Sequence, residues 1–405
     1  MEFSKVANII KKYKSYIFLP IICILQLLAC FYYDLWIVAT CIAVALIIFS
    51  DFAHIIYYTL FFQMFSVLGN FSVITAFVAS GSICLRYIIG IVKKTEKLYV
   101  LPLALTFFIC LCFSIRHTKI DGAGIYQGCS LIVSLFFCYL LFVYRDRFKL
   151  SKCADFLICG ILATLAISAL SMLFDGSLLH IFNDFGSLRR LKLLTANENS
   201  LAIYCSLSLS IFVTRIILGR GRLIKNIIFG IIAISVGLST LSKCFLIVCS
   251  FILIYLFVML IWKHRLKSLY FIVPALAILF IMAIIFKTTI GNIISRIFTK
   301  IDEKLTLSEI TTGRSDLWTL YLNNITSSIP NMLFGVGFFS ERLASIGPHN
   351  LLIHLLYRMG FVGIFLLGIL AYYYYRASDK SLKPTIYTAM PLFVFILISM
   401  VENFL

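Results

Sequence analysis

Charge is scarce in this chain of 405 residues: Asp, Glu, Lys and Arg make up 13% of it, whereas hydrophobic residues make up 62%. A soluble domain is about half apolar and about a quarter charged, so the shortage of charge excludes a water-soluble fold. The apolar segments follow one another almost without a break. We therefore expect one membrane domain rather than the two or three soluble domains that the length alone would allow.

Metal-binding and targeting patterns are also missing. No C-x-x-C pair occurs among the 13 cysteines, and nearly all of them lie in apolar runs, which favours packing over disulfides or metal ligation. The long polar loops contain no Asp-x-Asp cluster. A basic N-terminus precedes an apolar run that has no small-residue cleavage site, and more apolar runs follow, so we expect no cleaved signal peptide.

Long apolar runs are abundant. With about 17–25 residues needed for a span, they predict an all-α, polytopic transmembrane helix bundle of about 12 spans, in a range of 11–13. The predicted organisation is transmembrane helices over 1–286, a large loop over 287–350 and C-terminal spans over 351–405, with a second polar loop at 175–197. The candidate spans are 16–33, 35–50, 54–69, 71–92, 98–115, 124–144, 154–174, 198–218, 223–240, 243–262, 269–286, 351–375 and 385–403.

Lysine and arginine collect in alternate connections, and this bias sets the orientation of a membrane protein. We therefore predict that these connections and the N-terminus are cytoplasmic, and that the loops 175–197 and 287–350 face outward. The net charge of +18 is explained by this topology, so no nucleic-acid partner is expected. The basic residues concerned are Lys5, Lys11, Lys12, Lys14, Lys93, Lys94, Lys97, Arg145, Arg147, Lys149, Lys152, Arg215, Arg220, Arg222, Lys225, Lys263, Arg265, Lys267, Arg376, Lys380 and Lys383.

Cations inside apolar runs are costly in a membrane and usually face the bundle interior or a wet cavity. Lys243 would lie at the outer surface if 223–262 forms two spans, and would be buried if that stretch forms one long tilted span. A lysine snorkelling from a helix end is the simpler alternative. Arg358 lies about two turns into the span 351–375, with His354 four residues earlier on the same helical face, so both are predicted to face the interior.

The loop 287–350 is the most informative part of the sequence. The run Thr-Gly-Arg-Ser-Asp-Leu-Trp at 312–318 is expected to open an amphipathic helix along the membrane interface. Pro330 is expected to end this helix, and Leu-Phe-Gly-Val-Gly at 333–337 to form a tight turn that glycine permits. Gly-Pro-His-Asn at 347–350 then precedes the next span, where proline suits a helix start. The apolar stripe of the helix would be Leu317, Trp318, Tyr321 and Ile325.

These segments, in this order, resemble the O-antigen polymerase and O-antigen ligase superfamily, the Wzy-type and WaaL-type bacterial inner-membrane glycosyltransferases. The matching text is Gly-Arg-x-x-x-Trp, then Leu-Phe-Gly-x-Gly, then His-Asn followed by Gly-x-x-Gly at Gly360 and Gly363. Ala-Asn-Glu-Asn-Ser-Leu-Ala at 196–202 resembles the family's Asn-Pro-Asn-x-x-Ala segment, and Leu-Ser-Thr-Leu-Ser-Lys at 238–243 resembles its Ser-Arg span. The Gly-Arg-Ser-x-x-Trp text is more similar to the polymerases.

Three positions depart from the family's pattern. Lys243 replaces the usual arginine, which keeps the charge and loses the planar bidentate fork. Glu198 stands where the family has proline. Arg358 stands where many members have glutamate, so an acidic base, if one is needed, must come from elsewhere in the chain.

The resemblance implies a metal-independent glycosyltransferase without a cofactor, acting on an undecaprenyl-diphosphate-linked oligosaccharide at the extracytoplasmic face of the bacterial inner membrane. A polymerase of O-antigen or capsule repeat units is favoured, and a ligase that transfers glycan to lipid A–core is the alternative. A flippase or other transporter is a more distant alternative, because no internal repeat is seen. Expected partners are membrane lipids and the flippase and chain-length regulator of the same pathway.

The expected site follows from what this reaction requires. A diphosphate leaving group is held by cations, preferably arginine, and the attacking hydroxyl must lose a proton to a general base. A histidine titrates near neutral pH, which favours His349 as the base, with Glu198 as the second candidate. The expected diphosphate ligands are Arg314 first, then Lys243, with Arg189, Arg190 and Arg358 in support. The expected glycan contacts are Trp318, Tyr321, Asn350 and Asn199, and no metal ligand is expected.

Overall fold

The structure is a computed structural model that describes most of the chain. The described residues are 2–67, 70–116, 120, 122–175, 182–185, 188–195, 197–264, 314–341, 343–344, 347–377 and 389–399. Within these ranges, the side chains of 2–14, 123, 175, 182–189 and 263–264 are not described.

Fourteen α-helices, one 3₁₀ turn at Arg145–Arg147 and one β-hairpin form the regular structure of the described residues. The hairpin strands are β1 (Phe182–Phe185) and β2 (Leu188–Leu191). The helices are α1 (Glu2–Ala29), α2 (Leu35–Ile48), α3 (Phe52–Phe62), α4 (Phe71–Val92), α5 (Val100–Ile115), α6 (Gly122–Val143), α7 (Leu150–Asp175), α8 (Glu198–Leu218), α9 (Leu223–Ser239), α10 (Lys243–His264), α11 (Arg314–Thr326), α12 (Ile329–Phe334), α13 (Leu351–Ala377) and α14 (Met390–Ser399).

A helix occupies every predicted span that the described residues reach, whereas the predicted span 269–286 lies outside them. The stretch 223–262 forms two helices, α9 and α10. Two helices are what the first interpretation of this stretch, a pair of separate spans, predicted. Among the described residues, six helices are long and apolar enough to cross a membrane, namely α4, α6, α7, α8, α10 and α13. The expected all-helical fold of the membrane type is therefore confirmed.

The hairpin lies in the polar loop 175–197, and the sequence analysis did not predict it. Its strands are antiparallel, and Asn183 is paired with Arg190. The Gly-Ser pair at 186–187, between two four-residue segments that begin and end with apolar residues, is a signal typical of hairpins. The sequence therefore contained an indication of this element.

The chain forms two compact units. Unit 1 comprises Met1–Leu98 and Leu140–Ile252, and unit 2 comprises Tyr99–Tyr139 and Leu253–Leu405. In unit 1, α3 packs against α7, α1 and α4 pack against α2, and α8 packs against α9 and α7. In unit 2, α5, α11 and α12 each pack against α13. The described part of the loop 287–350 thus belongs to the packed body of unit 2.

Helix α13 is interrupted at Gly360, whose backbone is left-handed with φ 60° and ψ −167°. The interruption leaves two carbonyl groups available to another segment. The N–H groups of Val336 and Gly337 donate to the carbonyls of Tyr357 and Arg358, at 2.8 and 2.9 Å. We call residues 335–341 the inserted segment, because this non-helical stretch packs against the interruption of α13.

Candidate functional site

Helix α11 carries the predicted apolar stripe and begins at Arg314. Tyr321 and Ile325 are buried, and Trp318 packs beside them against Tyr357 of α13 and its neighbours. The expected end of this helix at Pro330 is wrong. The helix ends at Thr326, and Pro330 instead lies in the first turn of α12, where its missing N–H costs no hydrogen bond.

A hydrogen bond fixes the turn that carries His349. Trp318 Nε1 donates to the carbonyl of Pro348 at 2.7 Å. Arg314 lies one helical turn before Trp318 on the same face of α11. The bond therefore brings the start of α11 beside the turn, so that Arg314 and His349, both half-buried, belong to one end of unit 2.

His349 has an unusual backbone conformation. Its φ is 48°, in the left-handed region that few residues other than glycine adopt, although His, Asn and Asp occur there more often than most. The next residue, Asn350, is buried, and its Oδ1 accepts the N–H of Ile353 at 3.1 Å, which caps α13. A strained residue between two fixed neighbours is a recurring feature of functional sites. Asn350, a predicted glycan contact, here serves α13 as its cap.

The inserted segment is held by backbone contacts on several sides. Phe338 N donates to the carbonyl of Phe113 in α5 at 2.7 Å. A Cβ atom added at Gly335 or Gly337 would collide with the backbone of Arg358 or Arg116, and both glycines have positive φ. Non-helical backbone at membrane depth must find its partners within the protein. The two glycines of the Leu-Phe-Gly-Val-Gly text make that close approach possible.

Arg358 is buried, as predicted, but its guanidinium bonds to groups of the protein, which is not what a diphosphate site requires. Its Nη1 donates to the carbonyls of Ser340 and, at 3.3 Å, of Gly337, and its Nη2 donates to Oε1 of Gln127. The side chain is 1% exposed. The guanidinium thus fastens the inserted segment to α13 and α6. His354, four residues earlier, is also buried.

Tyr321 is likewise placed inside unit 2. Its ring is 2% exposed and makes an edge-to-face contact with the ring of Tyr357, with centroids 4.9 Å apart. The hydroxyl of Tyr357 donates to the carbonyl of Glu341 at 3.0 Å. Tyr321 therefore anchors α11 on α13 and has no face exposed to a sugar. Trp318 is partly buried and remains at the edge of the site.

A second polar cluster lies in unit 1 and collects three of the predicted residues. Arg190 Nη1 forms an ion pair with Oε1 of Glu198 at 2.6 Å, and Arg190 Nη2 donates to Oδ1 of Asn199 at 3.2 Å. Arg190 Nε donates to the carbonyl of Thr240 at 2.9 Å. The guanidinium thus joins β2, the start of α8 and the end of α9, and its charge is countered by Glu198.

Lys243 follows this cluster at the start of α10. Its side chain is exposed, three residues after the Thr240 carbonyl that Arg190 binds. The turn between α9 and α10 contains Leu241 with φ 51°, so the chain reverses tightly here. Arg189 lies in β2, and its side chain is outside the described atoms. Unit 1 therefore contains Arg190, Glu198, Asn199 and Lys243 near one another, and unit 2 contains Arg314 and His349.

Two polar residues in unit 2 escaped the sequence analysis. Gln127 is 4% exposed within the apolar helix α6 and receives a hydrogen bond from Arg358. Arg116, at the end of α5, donates from Nη2 to Oδ1 of Asn331 in α12 at 3.0 Å. A buried amide inside a membrane span is as informative as a buried charge, because it also needs a partner. That rule, applied to amides, would have identified Gln127.

In the part of the chain that the structure describes, no group of three or more His, Cys, Asp and Glu side chains is arranged to hold a metal ion. A scan against models of protein families, a search of curated proteins and a search of solved structures each found no match.

Proposed function

We propose that this protein is a bacterial inner-membrane polysaccharide polymerase, which joins undecaprenyl-diphosphate-linked oligosaccharide repeat units. The observation that supports this most is the assembly of the three resemblance-bearing segments in unit 2. Trp318 of the first segment binds Pro348 of the third, and the glycines of the second pack against α13 next to Gly360. Segments that a common reaction would use together are thus neighbours in the fold.

The proposed chemistry needs one cation and one base at the end of unit 2. The hydroxyl oxygen of the acceptor sugar attacks the anomeric carbon of the donor, and the bond from that carbon to the diphosphate oxygen breaks. Arg314 binds the departing diphosphate through the fork of its guanidinium. His349 takes the proton of the attacking hydroxyl. The products are the extended glycan and the free lipid diphosphate.

The structure changes the supporting roles in this proposal. Arg358 becomes a positioning residue, because its guanidinium binds the inserted segment. Glu198 becomes less suited to act as a base, because its carboxylate is already in an ion pair with Arg190. Trp318 keeps a place beside the glycan. Lys243 is exposed at the start of α10 in unit 1 and has no role in the chemistry proposed for the end of unit 2.

The proposal includes a topology of about 12 spans, with the N-terminus cytoplasmic and the loops 175–197 and 287–350 on the outer face. Repeat units presented on that face by a flippase would reach the end of unit 2 from the membrane. A chain-length regulator is a natural partner for such an enzyme. Cysteine-accessibility labelling at an exposed residue of α11, Thr319, from either side of sealed vesicles tests this orientation.

The deciding experiment supplies the purified full-length protein, in detergent, with lipid-linked repeat units. We expect a ladder of longer lipid-linked glycans from the wild-type protein, and none from Arg314→Ala. Arg376→Ala, which removes an exposed arginine from the last turn of α13, is the matched control and should elongate normally. Transfer to added lipid A–core without a ladder would instead identify a ligase. No transfer to either acceptor by folded wild-type protein would contradict the proposal and favour a transporter.

A further inference from the structure

Several cations of unit 1 lie where α8 ends and α9 begins, away from the start of α8 and the end of α9 that Arg190 joins. Asp155 of α7 is buried and accepts from Arg215 Nη1 of α8 at 2.9 Å and from Lys225 Nζ of α9 at 2.8 Å. This one carboxylate brings together the second turn of α7, the last turn of α8 and the first turn of α9. Its charge is already shared by two cations.

Two more arginines project from the turn between α8 and α9. Arg220 and Arg222 are exposed, and neither side chain has a hydrogen bond or ion pair with another described residue. Gly219 and Gly221 flank Arg220 with φ of 64° and 77°, which permits the tight reversal. The buried Asn226 fixes the turn, since its Nδ2 donates to the carbonyl of Arg220 at 3.0 Å. A fixed turn thus presents two guanidinium groups to the surroundings.

An apolar surface adjoins this turn. Ile224, in the first turn of α9, is 74% exposed, and Ile231, two turns further along, is 57% exposed. Ile227 and Ile228 lie between them and are also exposed. Cations beside an exposed apolar stripe match a ligand that has an anionic head and hydrocarbon chains.

We propose that the turn 219–222 and the adjoining face of α9 bind an anionic phospholipid. The phosphate of the headgroup lies between Arg220 and Arg222, which can each offer two parallel N–H donors. The acyl chains lie along the exposed isoleucines of α9. This site is independent of the proposed polymerase activity. The proposal predicts that the protein prefers anionic phospholipid at this one place.

The test counts bound lipids by native mass spectrometry on the full-length protein in non-ionic detergent, titrated with phosphatidylglycerol or phosphatidylcholine. We expect one phosphatidylglycerol to bind in preference to phosphatidylcholine. In R220Q/R222Q its affinity should fall by about tenfold or more, since each basic residue near an anionic headgroup contributes substantially. The matched control is K93Q/K94Q, which removes two exposed cations from the end of α4 in the same unit and should change the affinity by less than about twofold.

Three outcomes would overturn the proposal. The first is that R220Q/R222Q, which a thermal unfolding transition shows to be folded, binds phosphatidylglycerol as well as the wild type does. Alternatively, K93Q/K94Q loses as much affinity, which would mean that diffuse charge attracts the lipid. Finally, glycerol 3-phosphate competes as well as phosphatidylglycerol itself, which would identify a site for free phosphate that does not use the face of α9.

Discussion

Each unit contains an arginine that joins distant segments of the chain, and the two arginines do so differently. In unit 1, Arg190 binds the carboxylate of Glu198 and keeps 13% of its side chain exposed. In unit 2, Arg358 is 1% exposed and donates to backbone carbonyls of the inserted segment and to Gln127. The first arrangement is an ion pair that keeps a small exposed fraction, and the second is a fully buried set of hydrogen bonds to the backbone and to an amide.

The difference indicates how each unit keeps a polar segment in place. A polar segment that keeps some access to water can be held by side chains, because water forms hydrogen bonds with the polar groups that the side chains leave unpartnered. The inserted segment is buried, so its carbonyls need donors from the protein, and a guanidinium supplies several at once. We therefore expect unit 2 to be much less tolerant of substitution than the hairpin region of unit 1.

The largest expected effect comes from Gly360→Ala. The added Cβ would collide with the backbone of Leu333 and Phe334, and φ of 60° adds strain for any residue with a Cβ. We expect the variant to yield no folded protein by fluorescence-detected thermal unfolding in detergent. Gly368→Ala in the same helix is the control, because its Cβ meets open space. Normal unfolding of Gly360→Ala would mean that the interruption of α13 is not needed.

The next largest effect tests whether the general base is His349 in unit 2 or Glu198 in unit 1. His349→Asn should lower the rate of glycan elongation by about 10²–10⁴-fold, the usual contribution of a general base. Asparagine tolerates a left-handed backbone, so the turn should keep its shape. Glu198→Gln should retain most of the activity. The reverse pattern, with Glu198→Gln inactive and His349→Asn active, would place the base in unit 1.

A direct comparison of the two arginines follows. Arg358→Met should lower the free energy of unfolding by about 3 kcal/mol, because buried acceptors lose their donors. Arg190→Met should cost about 2 kcal/mol, since Glu198 loses this partner while 14% of its side chain keeps access to water. Chemical denaturation of both variants in the same detergent gives the two values. Equal losses of unfolding free energy would contradict the distinction between the buried hydrogen bonds of Arg358 and the partly exposed ion pair of Arg190.

The smallest expected effect concerns the hydrogen bond between Trp318 and Pro348. Trp318→Phe removes the donor and should cost about 1 kcal/mol, the net value of a neutral hydrogen bond. Hydrogen exchange at residues 349–353 should accelerate, because the turn before α13 loses its tether to α11. Trp262→Phe, at an exposed position of α10, is the control and should leave this exchange unchanged. Unchanged exchange in both variants would show that the tether does not hold the turn.

The helices could be predicted because their signals are local. Apolar runs of the right length marked the helices, and the spacing of Trp318, Tyr321 and Ile325 marked the buried face of α11. The partners of Arg358 could not be predicted, because Gln127 is 231 residues away in the sequence. The same holds for Arg190 and Thr240, which are 50 residues apart. Pairing over such distances depends on how helices pack, and periodicity carries no information about it.

The sequence by itself determined a helical membrane protein, the position of its helices and the segments on which the proposed chemistry depends, since hydropathy and spacing act along the chain. The tertiary structure decided which charged residues of those segments are buried or paired within the protein. It buried Arg358 under the inserted segment, paired Arg190 with Glu198 and left Arg314 and His349 half-buried in unit 2. The physical reason is that burial and ion pairing depend on how segments distant in sequence pack together, which no local pattern specifies.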